Sequence, residues 1–233
     1  MKEPNEVDFS VVILAYNEIQ SLEQVVLELL GVLKTLGRSF EILIVDDGSR
    51  DGTGALAERL SEKLVGVRVI HHETNQGLGG VYRTGFHQSN GRFVTFFPAD
   101  GQFDAAIVSQ MAGLIDNYDL VLGYLTGQRD SLLSRFLSWS ERLFYKLLFG
   151  SFPRFQGILM FRRQILQIFP LKSGGRGWAV VIELILKISH SGFKTTSVPT
   201  GDLRRRKFGK SKVNNIKTIW ANMKEAIALR HLL

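Results

Sequence analysis

The stretch Val11 to Ala15 (VVILA) is apolar without a break, and runs of this kind constrain the fold more than any other feature of the chain. A strand with one wet face alternates apolar and polar residues, whereas a strand buried on both faces reads as a continuous apolar run. Phe40 to Val45 (FEILIV), Val67 to His71, Arg92 to Phe97 and Asp119 to Gly123 read as further strands. Between the runs lie segments of helical spacing. After the first, apolar residues recur at 22, 25, 26, 29, 30 and 33, one face of a helix, with Ser21 expected as its N-cap. Thr53 is expected to cap a second helix. "NQGLGG" reads as a Gly-rich loop leading into a third, which runs to about Gln88, and a fourth is expected from Asp104 to Asp116. Strands alternating with helices imply βαβ units and an open, mostly parallel sheet with helices on both faces.

The second half is less regular. Leu132 to Phe149 reads as a helix rich in Leu and Phe, Phe155 to Phe161 as a strand, Trp178 to His190 as a helix, Phe193 to Val198 as a strand, and Val213 to Leu232 as a final helix. Charge divides the same way. Residues 1–100 carry 9 Lys and Arg against 14 Asp and Glu, and residues 101–233 carry 20 against 8. A basic half suggests an anionic partner: phosphate, nucleic acid or a membrane surface. A solvated basic face is the plain alternative.

Several classes drop out. The chain has no cysteine, so disulfides and thiolate metal sites are excluded. The polar, acidic start MKEPNEVDFS does not read as a signal or transit peptide, and no run of about 18 apolar residues suggests a membrane span. There is no GxxxxGK[ST] or GxSxG, "GLGG" does not satisfy GxGxxG, and the histidines lack HExxH spacing. His71 and His72 read as an edge or surface pair. "RRRKFGKSK" stands without any nucleic-acid-binding motif, so no nucleic-acid partner is expected.

In an open α/β sheet, ligands bind beyond the carboxyl ends of the strands, where strand order reverses. The runs end in "AYNE", "DDGS" and "PADGQ", which should set Glu18, Asp46, Asp47 and Asp100 along one rim, with the Asn75–Gly80 loop beside them. Crowded carboxylates repel unless donors or a cation sit among them. Ribose hydroxyls and base N–H groups can supply the donors, and a divalent cation can bridge a carboxylate to a diphosphate. A nucleotide held by acids and a metal fits both. Taken singly, each acid also fits a turn.

The segments "ILAYNE", "IVDDGSRDGT", "NQGLGG", "ADGQFD" and "RRRKFGKSK", in this order, resemble family 2 glycosyltransferases of the GT-A, Rossmann-like α/β fold. The polyprenyl-phosphate sugar synthases, the dolichol-phosphate mannosyltransferase-like branch, are the most similar. The resemblance spans about residues 8–220. It implies a glycosyltransferase domain over 1–200, with 201–233 a basic loop and amphipathic helix of the same domain. Ala15, Tyr16, Glu18, Asp46, Asp47, Asn75 and Gly77 would line the nucleotide-sugar pocket. Asp100 and Gln102 would hold Mg2+ or Mn2+. Arg129 and Arg135 would act with Asp100 in catalysis, facing phosphates, and Ser138, Arg206, Ser211 and Lys212 would bind the acceptor or its phosphate. Three positions depart from the family pattern: Leu14 replaces a proline, Pro153 an acid, and Pro98 the first Asp of the DxD motif. Proline cannot ligate a metal. Mg2+, however, keeps several waters and often uses only one or two carboxylates plus substrate phosphates, so the expectation is an altered but working site. Asp47 is a candidate to turn toward the metal.

The implied reaction is an inverting transfer from a GDP- or UDP-sugar to a polyprenyl or dolichyl phosphate. A phosphate monoester, with a second pKa of about 6, is already an oxyanion at pH 7 and needs no base. A hydroxyl acceptor would need one, and Glu183 is the candidate in its stretch. A nucleotide-sugar-binding protein without turnover is the third reading. A lipid acceptor implies a protein peripheral to the cytoplasmic face of a membrane. "SLLSRFLSWSERLFYKLLFG" and the stripe Ile216, Ile219, Trp220, Met223, Ile227 are the candidate contacts. The same stripes also suit a packed core, a homo-oligomer or a separate membrane subunit.

Overall fold

The computed structural model describes residues 7–126, 143–150, 152–204 and 216–231. A seven-stranded sheet runs through it in the order β3-β2-β1-β4-β6-β5-β7. Its strands are β1 (Phe9–Ala15), β2 (Phe40–Asp46), β3 (Val67–His71), β4 (Phe93–Pro98), β5 (Leu120–Tyr124), β6 (Leu159–Arg162) and β7 (Thr195–Pro199). All neighbours are parallel except β6, which runs antiparallel to both β4 and β5.

The helices explain why the strand sequences lack alternation. α1 (Leu22–Thr35), α2 (Thr53–Lys63) and α4 (Ala106–Leu114) pack on one face, against Val11, Ile13, Ile42, Ile44 and Phe97. α3 (Gly77–Gln88) and α7 (Ala179–His190) pack on the other, against Val12, Leu43, Val45, Phe96 and Phe161. Successive residues point to opposite faces, and here both faces are dry. The remaining helices are α5 (143–149), the single turn α6 (Ile165–Ile168) and α8 (Ile216–Arg230). Leu229 of α8 is buried with Ile182 and Leu186 of α7, and Tyr145 and Phe149 of α5 pack on the same cluster.

Local boundaries depart from the sequence reading for identifiable reasons. Ser21 precedes α1 but does not cap it; its hydroxyl lies 3.4 Å from the Glu18 carbonyl and carboxylate. Gly52 holds the cap position of α2, and Thr53 is the first helical residue. α3 starts inside the glycine cluster at Gly77. α4 starts at Ala106, whose N–H donates to Asp104 Oδ1 at 2.9 Å. The strand expected from Phe155 shrinks to Leu159–Arg162, because Gly157 turns the chain at φ +93°. β7 begins at Thr195 and α8 at Ile216. The helix expected from Leu132 falls within the described residues only over 143–149.

The chain steps from β1 to β2 to β3, then returns to β4 on the far side of β1. That reversal opens a crevice between the carboxyl ends of β1 and β4. Ala15 pairs with Asp46 and Leu14 with Pro98, so the three strands end flush.

Candidate active site

Two of the quoted motifs form a single interlocked rim. Asn17 adopts φ 51°, a left-handed conformation uncommon outside glycine. It is held there from both ends: its N–H donates to Ser49 Oγ at 2.9 Å and its Oδ1 accepts the Arg50 N–H at 2.8 Å. The Glu18 N–H donates to Thr53 Oγ1 and the Ile19 N–H to Asp51 Oδ2. Asp51 also accepts the Thr53 N–H. Burial pushes its carboxyl up, but these hydrogen bonds outweigh it and hold the pKa below the ordinary value. Tyr16 and Glu18 are thereby fixed at the end of β1, half-buried.

Asp46 closes β2 and is buried. Its Oδ1 accepts the Ser49 N–H at 3.2 Å, and its Oδ2 lies 3.0 Å from His71 Nδ1. His71 Nε2 lies 2.7 Å from Glu58. Burial lowers the His71 pKa, but the two carboxylates more than compensate and leave it raised. His71 is therefore a bridge between acids, a role that a two-histidine reading of the strand end did not reveal.

Asp47 has a different task. Its carboxylate is buried and accepts the Gln76 N–H (2.7 Å), the Gly77 N–H (2.9 Å) and Asn75 Nδ2 (2.8 Å), with His72 Nδ1 at 2.7 Å. The N-terminus of α3 favours an anion, and Asp47 is that anion. The expectation that Asp47 turns toward a metal is corrected by these contacts: four partners saturate it. The Asn75 amide nitrogen and the Gly77 N–H are likewise engaged with Asp47. His72 also reaches Thr84 at 2.8 Å and is buried, not a surface residue.

At the end of β4, Asp100 Oδ1 accepts the Gln102 N–H at 3.1 Å, shaping a tight turn through Gly101 at φ +69°. Pro98 is the last strand residue, paired with Leu14. The Gln102 carbonyl accepts the Arg204 N–H at 2.8 Å. The Arg204 side chain bonds Glu28 and Asp104, so the segment after β7 is fastened to this loop. Among the described residues no group of three or more His, Cys, Asp or Glu is placed to hold a metal ion. Arg129, Arg135, Ser138, Arg206, Ser211 and Lys212 lie outside the described residues.

Glu183 is fully buried in α7. It accepts the Lys172 and Ser173 N–H groups and the Lys187 ammonium at 2.6 Å. Burial raises its pKa, but these donors outweigh it and leave the carboxyl below the ordinary range.

The sequence pattern of Glycosyl transferase family 2 matches residues 10–169. The chain belongs to this family. It is a glycosyltransferase. An undecaprenyl-phosphate mannosyltransferase of Micrococcus luteus is 26% identical over 214 residues, covering 87% of this chain and 86% of that protein. A polyprenol monophosphomannose synthase of Mycolicibacterium smegmatis is 29% identical over 232 residues, covering 93% and 83%. The fold is that of GT-A glycosyltransferases. A mannosyl-3-phosphoglycerate synthase structure from Rubrobacter xylanophilus superposes with a TM-score of 0.73 at 18% identity, covering 96% of this chain and 74% of that one. A Mycobacterium tuberculosis glucosyl-3-phosphoglycerate synthase, solved with Mn2+, UDP and phosphoglyceric acid, superposes at 0.67 with 21% identity, covering 94% and 78%.

Proposed function

We propose that this glycosyltransferase moves a sugar from a nucleoside diphosphate to a polyprenyl phosphate with inversion. The observation that carries the acceptor is the state of Glu183. A hydroxyl acceptor calls for a base; of the two acids between Asp130 and Asp202, Glu141 lies outside the described residues and Glu183 is sealed under three donors. A phosphate monoester arrives as an oxyanion. One phosphate oxygen forms a bond to the anomeric carbon as the bond to the diphosphate oxygen breaks. The similarity to an undecaprenyl-phosphate mannosyltransferase and a polyprenol monophosphomannose synthase, over 86% and 83% of their lengths, supports the same acceptor.

In this reading Asp46, with Ala15, Tyr16 and Glu18, lines the nucleoside end of the crevice, and Arg129, Arg135, Ser138, Arg206, Ser211 and Lys212 meet phosphates. Asp100 and Gln102 offer one carboxylate and one amide oxygen. That set fits a hard cation that brings phosphate oxygens and water as its other ligands; Mg2+ or Mn2+ would supply charge neutralisation on the departing diphosphate. The chain's own task is orientation and electrostatics.

No described helix is long and apolar enough to cross a membrane. Leu147 (73% exposed) of α5 and Ile227 (47%) of α8 remain in solvent beside Lys146 and Lys224. In the proposed setting these face the cytoplasmic membrane surface that carries the acceptor.

The test is lipid extraction. Purified protein, a short polyprenyl phosphate in detergent and a panel of labelled GDP- and UDP-sugars are incubated with Mg2+, Mn2+ or EDTA. The expected result is label in the organic phase with one donor, lost with EDTA and in Asp100→Ala while the Asp100→Ala fold survives. Lipid product undiminished in Asp100→Ala would sink the metal assignment, and no lipid product with any donor would sink the acceptor.

A further inference from the structure

Two glycine-rich stretches and helix α8 lock together at the carboxyl end of the sheet. The loop Gly174–Gly177 lies between the N-terminus of α3 and helix α8. A Cβ on Gly77 would meet the Arg176 carbonyl at 2.7 Å, and one on Gly79 would collide with the Gly175 carbonyl. On the loop's other side, a Cβ on Gly175 would collide with Glu225 and one on Gly177 with Asn222. Gly77 and Gly79 face backbone and tolerate no side chain, whereas at Gly175 and Gly177 the Glu225 and Asn222 side chains would have to move. Between Gly175 and Gly177 stands Arg176, exposed.

Every backbone group of Arg176 is committed. Its N–H donates to Glu225 Oε1 at 2.9 Å, and its carbonyl accepts the Gly79 N–H at 2.8 Å. Its Nη2 donates to the Asn75 carbonyl and Oδ1 at 2.8 and 2.7 Å. Asn75 is held in turn by Asp47. The arginine is thus anchored at three points beside the acidic rim, yet among the described residues no carboxylate pairs with its guanidinium. Glu225, the acid that grips this loop, bonds the backbone instead. A guanidinium held by one nitrogen keeps Nε and Nη1 in a planar fork that matches a phosphate.

We infer that Arg176 binds a phosphate oxygen of a substrate, and that Glu225 of α8 acts as its positioning residue. This rests on the reading that both substrates are phosphates. The shared chemistry is a phosphate oxygen, from either the donor's diphosphate or the acceptor's monoester.

The test is binding rather than turnover. Wild type, Arg176→Gln and Arg176→Lys are titrated with GDP, UDP, guanosine, uridine and a short polyprenyl phosphate in detergent, and Tm is recorded for each. Loss of a charge-assisted contact predicts about 10-fold or more weaker binding of one phosphate ligand in Arg176→Gln. Arg176→Lys should recover part of it, with nucleoside binding and Tm unchanged. Weakened GDP or UDP binding identifies the donor diphosphate; weakened polyprenyl-phosphate binding identifies the acceptor. Glu225→Gln, which keeps an acceptor oxygen, should shift the same ligand less. Unchanged affinity for every phosphate ligand overturns the inference. So does a uniform loss across nucleosides and phosphates with a lowered Tm, the signature of a structural residue. A wild type that makes no lipid product would defeat the proposed reaction and leave these titrations readable.

Discussion

Tyr82 carries its hydroxyl into a closed aromatic cluster of Phe86, Phe96 and Trp178, where the oxygen has no partner among the described residues. Burial pushes its pKa far above the ordinary phenol range. Removing an unpaired buried hydroxyl costs nothing, so Tyr82→Phe should leave activity intact and raise stability by about 1 kcal/mol in urea unfolding. His71 behaves oppositely with pH. Its folded pKa lies above the ordinary 6.5, so its contribution is complete below that pH and is lost as pH rises through the folded value. The Tm difference between wild type and His71→Gln should be largest in acid and shrink above neutrality. Glu183, with a lowered pKa, stabilises above its ordinary 4.5 and loses that effect as pH falls. Glu183→Ala strands Lys187 and two N–H groups, for an expected loss of about 3–5 kcal/mol by denaturant titration. The carboxylates of the rim were legible from sequence because each ends an apolar run. Their division of labour was not: Asp46 and Asp47 are adjacent, yet one bonds Ser49 and His71 while the other caps α3, and only the fold of the Asn75 loop decides which.

At the scale of elements, α3 shows what glycine conceals. Helix propensity argues against "GLGG", yet the helix begins at Gly77 because the Arg176 carbonyl and Asp47 carboxylate satisfy its first N–H groups. Close approach of the 174–177 loop requires the missing side chains. Gly79→Ala should push that loop away, at about 1–3 kcal/mol by unfolding, and weaken activity more than Gly113→Ala, where a Cβ meets nothing within 4 Å. β1, β2, β4 and β5 were readable because two dry faces leave a largely apolar signature, and edge strand β3 from its β-branched residues between turn signals. The orientation of β6 was not, since nothing within four residues encodes whether a strand runs with or against its neighbours, and both of its partners, β4 and β5, are distant in sequence.

For the whole molecule, the first half supplies the acidic crevice and the second supplies cations and the elements that brace it. α8 is one such brace: Ala226 and Leu229 are buried, and Glu225 grips the loop over α3. Leu229→Asp should detach the helix, lower stability by roughly 3 kcal/mol or more, and reduce turnover although the site lies elsewhere; a variant with full activity and a lower Tm would separate the two effects.

The interlock also orders events in time. A ribosome delivers Asp47, then α3, then the 174–177 loop, and Glu225 last. Sheet strands β1 to β4 can pair while the chain is still growing, but the loop has no anchor on its outer side until α8 is free. The acidic strand ends are therefore assembled early and the brace over α3 late, so a nascent chain can hold most of the sheet well before the interlock closes.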